Sequence, residues 1–467
     1  MRRSNILILY TDQQRWDALG ANGNTEIHTP HLDALAGEGL NFSRHFVQNP
    51  VCMPSRASFL TGRYPSALGI THMGVPVPPD AVTLPRLVRN YGYTSANIGK
   101  LHFLPHANRD HRAVHPDYGF DHLEISDEPG CYPDAYRAWV ARRAPDQLDQ
   151  ISVGLPPATA VWQQAMGIRD GIRHPAERFE KHALPFASRS ELTHTAFVAE
   201  QTIDFLRLHR DRPFLCIAGF YSPHSPWIAP QEFLDLYDPE SLTIPAYPPE
   251  VEARRARASL CPEDELRSAR QGYYAMVSEV DHHVGRILGT LDDLGLAGDT
   301  IVVFTSDHGE WLGEHLRYGK GYPGPDCVTR VPLLLRWPAG QAEAGRTIPG
   351  IVEAVDVVPT LLECAGVPVP GDLQGRSLLP ALRGEPFPGK SSALTEHRGW
   401  KALRTDRWRY LCEAGGKELL FDLDADPGEY ADVAQAPGAA GALAECRGEM
   451  LRHLLEAERP LPRVWPY

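Results

Sequence analysis

No apolar run in this chain approaches the length needed to span a membrane. No internal repeat or low-complexity tract stands out either. Cationic excess is missing: Lys plus Arg is 46 against 59 for Asp plus Glu, a net charge of −13. An acidic chain of this kind is a poor general binder of nucleic acid or of anionic membrane surfaces. An anionic substrate remains open, because a local basic pocket can form in an acidic protein. Paired cysteine spacing is also absent. The eight cysteines are scattered and read as reduced thiols. Met1-Arg2-Arg3-Ser4 runs straight into Asn5–Tyr10, too short for an export leader, so the expected address is cytoplasmic.

What is present is enough for a large core. The chain has 467 residues, of which 43% are hydrophobic, which suits one large α/β unit plus a small one. Proline is abundant at 42 and falls mostly in connecting segments, implying long ordered loops on a rigid scaffold. Short apolar runs at Asn5–Tyr10, Thr94–Ile98, Phe214–Phe220, Thr300–Phe304 and Val331–Arg336 read as buried parallel strands. Helices fall between them. Pro30–Gly37 follows Thr29, a candidate N-cap with proline at the first helical position. From about Glu265 to Leu294 one face carries Tyr273, Val277, Val280, Val284, Leu288 and Leu291. Val355–Ala365 is a shorter helix ending at Gly366. This alternation predicts an α/β sandwich with a large, mostly parallel central sheet.

Residues 106–189 are rich in Pro, His, Asp and Trp with weak periodicity. They read as an insertion over the sheet edge that shapes a pocket. Beyond about Gly375, Ala393–Glu396, Trp400–Arg404, Trp408–Cys412 and Glu418–Asp422 are closely spaced strand candidates, with a helix near Gly441–Glu456. The expected division is therefore a catalytic domain over 1–375 and a small antiparallel α+β unit over 376–467. The small unit offers a surface for a homo-oligomer contact.

In open α/β sheets, ligands sit beyond the carboxyl ends of the strands. The first run ends in Thr11-Asp12-Gln13-Gln14, and the run near 300 in Ser306-Asp307-His308-Gly309-Glu310. The run near 215 leads to Tyr221-Ser222-Pro223-His224, and the run near 95 to Gly99-Lys100-Leu101-His102. Asp, Gly and His are common there simply as turn formers. Four such ends together point to a site. Asp12, Asp307 and His308 form a candidate divalent-metal cluster. Two carboxylates and one imidazole fit Mn²⁺, or a tolerant Ca²⁺ or Mg²⁺ site, better than a dedicated Ca²⁺ cage.

The most informative run is Val51-Cys52-Met53-Pro54-Ser55-Arg56-Ala57-Ser58-Phe59-Leu60-Thr61-Gly62-Arg63. Cys52 precedes a helix start, where free N–H groups favour anions. Arg56, one turn in, can face the same anion or steady a nucleophile. Most free cysteines are small buried hydrophobes; the flanking Pro54 and Arg56 favour a functional one. Gly384–Ser391 matches the phosphate-loop pattern GxxxxGK[ST] letter for letter. That loop works through backbone N–H groups, which Pro386 and Pro388 lack, and no apolar strand precedes it, so nucleotide binding is rejected.

The Cys52–Arg63 run closely resembles the signature of the type I, formylglycine-dependent sulfatases of the alkaline-phosphatase superfamily. The resemblance extends over nearly the full length. It includes Asn5–Asp12, Gly99–His102, Pro223-His224-Ser225-Pro226, Ser306–Gly309, Gly313-Glu314-His315, Gly319-Lys320-Gly321, Glu418–Leu423 and Asp426-Pro427-Gly428-Glu429.

The resemblance implies that Cys52 is oxidised by a formylglycine-generating enzyme to an aldehyde whose hydrate is the nucleophile. It implies a metal held by Asp12, Asp307, His308 and residue 52, with Gln13 as a further candidate. One hydroxyl of the hydrate would attack sulfur, and the other would expel sulfate afterwards. Lys100, His224 and Lys320 would contact the sulfate oxygens. His102 or Arg56 would steady the hydrate, and His224 would protonate the leaving group. Gln13 in place of a second Asp, and His308 in place of Asn, resemble the choline-sulfatase and phosphonate-monoester-hydrolase branch. Lys100 with His102 resembles the sulfatases. The expected activity is hydrolysis of a small-molecule sulfate monoester. The rivals are a phosphonate monoester or phosphodiester hydrolase with the same nucleophile, and an inactive binding protein that keeps its thiol at 52.

Overall fold

The computed structural model describes residues 3–458 apart from Asn108, Glu177, Phe179 and Glu180. Met1 and Arg2 of the leader reading, and residues 459–467 of the C-terminal unit, lie outside the described residues. Among the described residues fifteen strands follow in chain order. They are β1 (Asn5–Thr11), β2 (Leu40–Phe46), β3 (Thr94–Gly99), β4 (His122–Ile125), β5 (Leu184–Pro185), β6 (Phe214–Gly219), β7 (Ile228–Ala229) and β8 (Thr300–Ser306). β9 (Arg330–Val331), β10 (Leu333–Arg336), β11 (Arg346–Glu353), β12 (Ser392–His397), β13 (Trp400–Thr405), β14 (Trp408–Glu413) and β15 (Glu418–Asp422) complete the set.

The main sheet runs in the order β11-β2-β10-β8-β1-β6-β3-β4, with β9 on β2. β4, β3, β6, β1 and β8 are mutually parallel, as are β11 and β2. β1 is buried along its whole length, as a strand covered on both faces requires. Ile6, Ile8 and Tyr10 face one apolar core, and Leu7 and Leu9 the other. The long helix Glu263–Asp293 covers the second face with Val280, Val284, Ile287 and Leu291. Each such side chain contributes ~1.5–3 kcal/mol of burial. Helix Cys52–Thr61 covers the other face through Ala57, Phe59 and Leu60.

Several expectations need correction. The run Val331–Arg336 is broken at Pro332 and is not parallel: β10 runs antiparallel to both β8 and β2. Proline has no N–H to give a ladder, so the break falls there. The 106–189 segment does more than lie over the sheet edge, because it supplies the edge strand β4, parallel to β3. Strands β2 and β11 were not expected. Thr29 precedes helix Pro30–Glu38 but makes no capping bond. Its hydroxyl instead accepts from the Gly20 N–H at 2.9 Å. On the long helix, Ile287 takes the fully buried position and Leu288 is only partly buried. The segment expected as one helix from Val355 opens as a single turn, Ala354–Asp356, before helix Val357–Cys364.

β12–β15 form a four-stranded antiparallel sheet, packed with helix Ala440–Ala457. Leu394, Leu403, Tyr410 and Leu420 share a core with Leu443 and Met450, joined by Tyr64 and Val355 from the large sheet's side. The lysine of the phosphate-loop decoy is engaged elsewhere. Lys390 Nζ lies 2.6 Å from both Glu353 and Asp356. No helix among the described residues is long and apolar enough to cross a membrane.

Candidate active site and metal centre

β8, β1, β6 and β3 are adjacent and parallel, so their carboxyl ends lie side by side. Thr11 pairs with Ser306, which sets Asp12 beside Asp307. Gly99 pairs with Gly219, and its φ of 88° turns the chain into Lys100. A Cβ at Gly99 would drive into the Gly219 carbonyl, so only glycine allows this approach. Cys52 opens its helix from the neighbouring β2 connection.

One donor atom each from Asp12, Cys52, Asp307 and His308 lie within 4.8 Å of one another, all buried. Cys52 Sγ is 3.2 Å from His308 Nε2 and 3.7 Å from Asp12 Oδ1. His308 Nδ1 donates to the Gly309 carbonyl at 2.9 Å. That bond leaves the Nε2 lone pair facing the cluster, the arrangement a metal-ligating imidazole needs. Burial, then the Lys320 ammonium, push the His308 imidazole down to about 4, so it is neutral at pH 7. Burial favours the neutral acid at Asp12, but Lys100, His224, Lys320 and Arg56 together hold it well below the usual carboxylate range. Two carboxylates and one neutral imidazole, with residue 52 at their focus, fit a divalent ion. Gln13 sits at a φ of 69°. Its Nε2 donates to Glu310 and its Oε1 accepts from Lys320 Nζ at 3.2 Å, so its oxygen is turned to the same centre.

Arg56 faces the carboxylates rather than an external anion. Its Nε is 2.6 Å from Asp307 Oδ2 and its Nη2 is 3.4 Å from Asp12 Oδ2. Its guanidinium lies 4.6 Å from the Tyr10 ring centroid. Lys100 Nζ meets Asp12 Oδ2 at 2.8 Å. Lys320 Nζ is 2.7 Å from Cys52 Sγ, 3.1 Å from His224 Nε2 and 3.1 Å from His308 Nε2. His224 Nδ1 donates to the Ser225 carbonyl at 2.6 Å, which directs its Nε2 inward. Burial, then Lys320, hold this imidazole well below its ordinary range.

His102 stands apart. Its ring stacks on His106 at 4.3 Å between centroids, and its ring nitrogens find no hydrogen-bond partner among the described residues. Asp127 accepts from the backbone N–H of Leu101 and of His102 at 2.9 and 2.7 Å, fixing His102 at a φ of 54°.

The thiol itself is a poor nucleophile. Burial, then the Asp12 carboxylate, push Cys52 up to about 12. Near neutral pH it carries almost no thiolate.

Glu310 was quoted in the strand-end run without a role. It is buried, accepts from Gln13 Nε2 and from the N–H groups of Gly319 and Leu312, and so ties Gln13 to the Lys320 loop. Glu128 is a second omission. It faces Lys100 Nζ at 3.9 Å and pairs with Arg178. Glu310 closes the Ser306–Glu310 strand-end run, whereas Glu128 belongs to no such run and leaves no trace in the sequence.

An α/β sheet with metal-fitting carboxylates, a buried residue 52 and converging cations at its strand ends defines a hydrolase of the alkaline-phosphatase-like class. Residues 4–367 match the sulfatase family model, and residues 313–456 match the model of the N-sulphoglucosamine sulphohydrolase C-terminal region. The chain belongs to the sulfatase family. It is 29% identical to an arylsulfatase of Clostridium perfringens over 92% of this chain and 90% of that one. It is 29% identical to a choline-sulfatase of Rhizobium meliloti over 93% of this chain and 83% of that one. The crystal structure of a phosphonate monoester hydrolase of Agrobacterium radiobacter superposes with a TM-score of 0.82 at 26% identity, covering 97% of this chain and 96% of that one. The family is one of sulfuric ester hydrolases that generally use a formylglycine and a metal ion.

Proposed function

We propose that this protein hydrolyses the sulfate monoester of a small alcohol, with residue 52 acting as formylglycine. One observation carries the reading: Cys52 lies at the focus of metal-fitting donors and a lysine. Converted by a formylglycine-generating enzyme, it becomes an aldehyde whose hydrate offers a hydroxyl at the same point.

The bound ion would be held by Asp12, Asp307, His308 and residue 52, with Gln13 as an extra donor. It supplies Lewis-acid polarisation of a substrate oxygen and acidifies the attacking hydroxyl. The neutral imidazole at 308 tilts the set toward Mn²⁺, with Mg²⁺ or Ca²⁺ as weaker fits. Lys320, Lys100 and His224 meet the sulfate oxygens and offset the charge that builds as the ester bond lengthens. Arg56 acts through Asp12 and Asp307 and is a positioning residue. His102, with its ring nitrogens free, is the group available to the second hydroxyl of the hydrate. The Lys320 ammonium passes a proton across 3.1 Å to the neutral His224 Nε2, which relays it to the leaving oxygen. Residues 1–375 would form the catalytic unit and 376–467 its C-terminal companion.

The test is side-by-side kinetics on 4-nitrophenyl sulfate and 4-nitrophenyl phenylphosphonate, using protein matured with a formylglycine-generating enzyme. Mass spectrometry of the residue 52 peptide and metal analysis of the same sample complete it. The sulfate ester is expected to be turned over with the higher kcat/KM, and Cys52→Ala to be inactive. A higher kcat/KM on the phosphonate would refute the reading. So would full activity in protein that keeps an intact thiol at position 52.

A further inference from the structure

A cavity of about 290 Å³ opens directly from the reacting centre. Lys320, His224 and Gln13 line its inner end, and Trp227, Tyr318 and Lys181 its outer end. We propose that this cavity receives the alcohol half of the substrate, and that it selects an aromatic alcohol carrying a negative charge. The proposal rests on the sulfate-ester reading above and names the substrate class for the same site.

The walls are aromatic and fixed. Trp227 is 1% exposed, and its ring lies 5.7 Å from that of Tyr318, tilted by 59°. Trp227 is packed so closely on Gly272 that a Cβ there would collide with it. β5 pairs with β7, and Leu184 donates to the Trp227 carbonyl at 2.9 Å. That short ladder joins the Lys181 segment to the Trp227 segment, so the two sides of the pocket are placed together. A flat ring laid against the Trp227–Tyr318 pair from the cavity side meets an aromatic wall suited to offset or edge-to-face contacts.

Aromatic walls alone would also suit a quaternary ammonium group. The charges here argue against one. Lys181 Nζ already lies 5.2 Å from the Tyr318 ring centroid, and Lys320 Nζ stands at the inner end. Among the described residues Lys181 has one acidic partner, Glu265, at 3.6 Å. A cationic alcohol would therefore meet an ammonium at each end of its pocket. A carboxylate on the ring would meet Lys181 at the distal end while the ester oxygen stays at Lys320 and His224.

The experiment compares 4-(sulfooxy)benzoate, 4-(trimethylammonio)phenyl sulfate and choline sulfate as substrates of the mature protein. The benzoate is expected to exceed the trimethylammonio ester in kcat/KM by about five-fold or more, allowing for the solvent-screened Lys181. Lys181→Glu should invert that ratio. A ratio near one that Lys181→Glu does not move would overturn the proposal, as would choline sulfate as the best substrate. If the protein prefers phosphonate esters, the sulfate reading fails, and the same phenols as phosphonate esters still read the pocket. A binding arm needs no turnover. Calorimetry on the Cys52 form with 4-hydroxybenzoate and with (4-hydroxyphenyl)trimethylammonium should show the benzoate binding more tightly, and equal or reversed affinities would sink the idea.

Discussion

Arg56→Met probes how the centre is held together. The guanidinium is fully buried, spans Asp307 and Asp12, and donates to the carbonyls of Lys100 and Thr11 at 3.1 and 3.2 Å. Methionine fills much of the stem's volume and removes the charge. Breaking a buried pair from one side costs ~3–5 kcal/mol, because the abandoned carboxylates remain in a dry site. An unfolding entropy of about 2.1 cal/mol/K per residue, taken over 467 residues, converts that loss to a fall of about 3–5 °C in Tm. The same carboxylates are the proposed metal ligands, so a divalent ion returns the missing positive charge. The gap between parent and variant should therefore be widest in chelator and narrow as Mn²⁺ is added. Differential scanning calorimetry across a Mn²⁺ series measures both. Arg56→Lys keeps the charge without the fork and should fall between the two. Equal Tm values in chelator, or a gap that widens with Mn²⁺, would refute this account of Arg56.

Two further outcomes follow from buried groups around the sheet. Glu310→Ala strands the Gln13, Gly319 and Leu312 donors, each costing ~1–3 kcal/mol when unsatisfied, so kcat/KM should fall by about 10- to 100-fold. Glu310→Gln keeps an acceptor and should retain more activity and tighter Mn²⁺ binding than the alanine variant, which parallel kinetics and metal titration would check. His45, wholly buried on β2, is pushed by burial from 6.5 down to about 4. The unfolded chain takes up a proton below pH 6.5 that the folded chain refuses until about pH 4. Stability from this group is therefore full above pH 6.5 and lost as pH falls toward 4, by about 3 kcal/mol. His45→Gln should flatten the urea-unfolding free energy across that window, and an unchanged slope would count against it.

The strands β1, β6 and β8 were legible because each carries a continuous apolar run buried on both faces, while β3 is as buried but holds Ser95 and Asn97. Their parallel order also explains why Asp12, Lys100, His224 and Asp307 could be sought at strand ends and then found together. β2 escaped notice because Asn41, Ser43, Arg44 and His45 interrupt its apolar residues. β11 carries Pro349 and Gly350 at a bulge, which disguises a strand as a turn. The reversal of β10 lies in pairing, and pairing leaves no mark in a short apolar run. At the site, residue identities were readable and partners were not. Arg56 could serve an anion or a nucleophile on sequence alone, and only the folded distances assign it to Asp12 and Asp307. Trp227 and Lys181 were invisible for a related reason. Their meeting depends on a two-residue ladder too short to show any periodicity.

Cys52 is only 1% exposed, and it begins a helix in which every residue is buried. A modifying enzyme has no path to its side chain once that helix has seated. The proposed maturation would thus be a matter of timing: residue 52 would have to be altered while the chain is still open. On that reading a molecule that closes too early would be trapped as a well-folded but immature form, and stability would preserve the error. Slower closure around residue 52 would then raise the active fraction, even though it changes nothing in the finished catalyst.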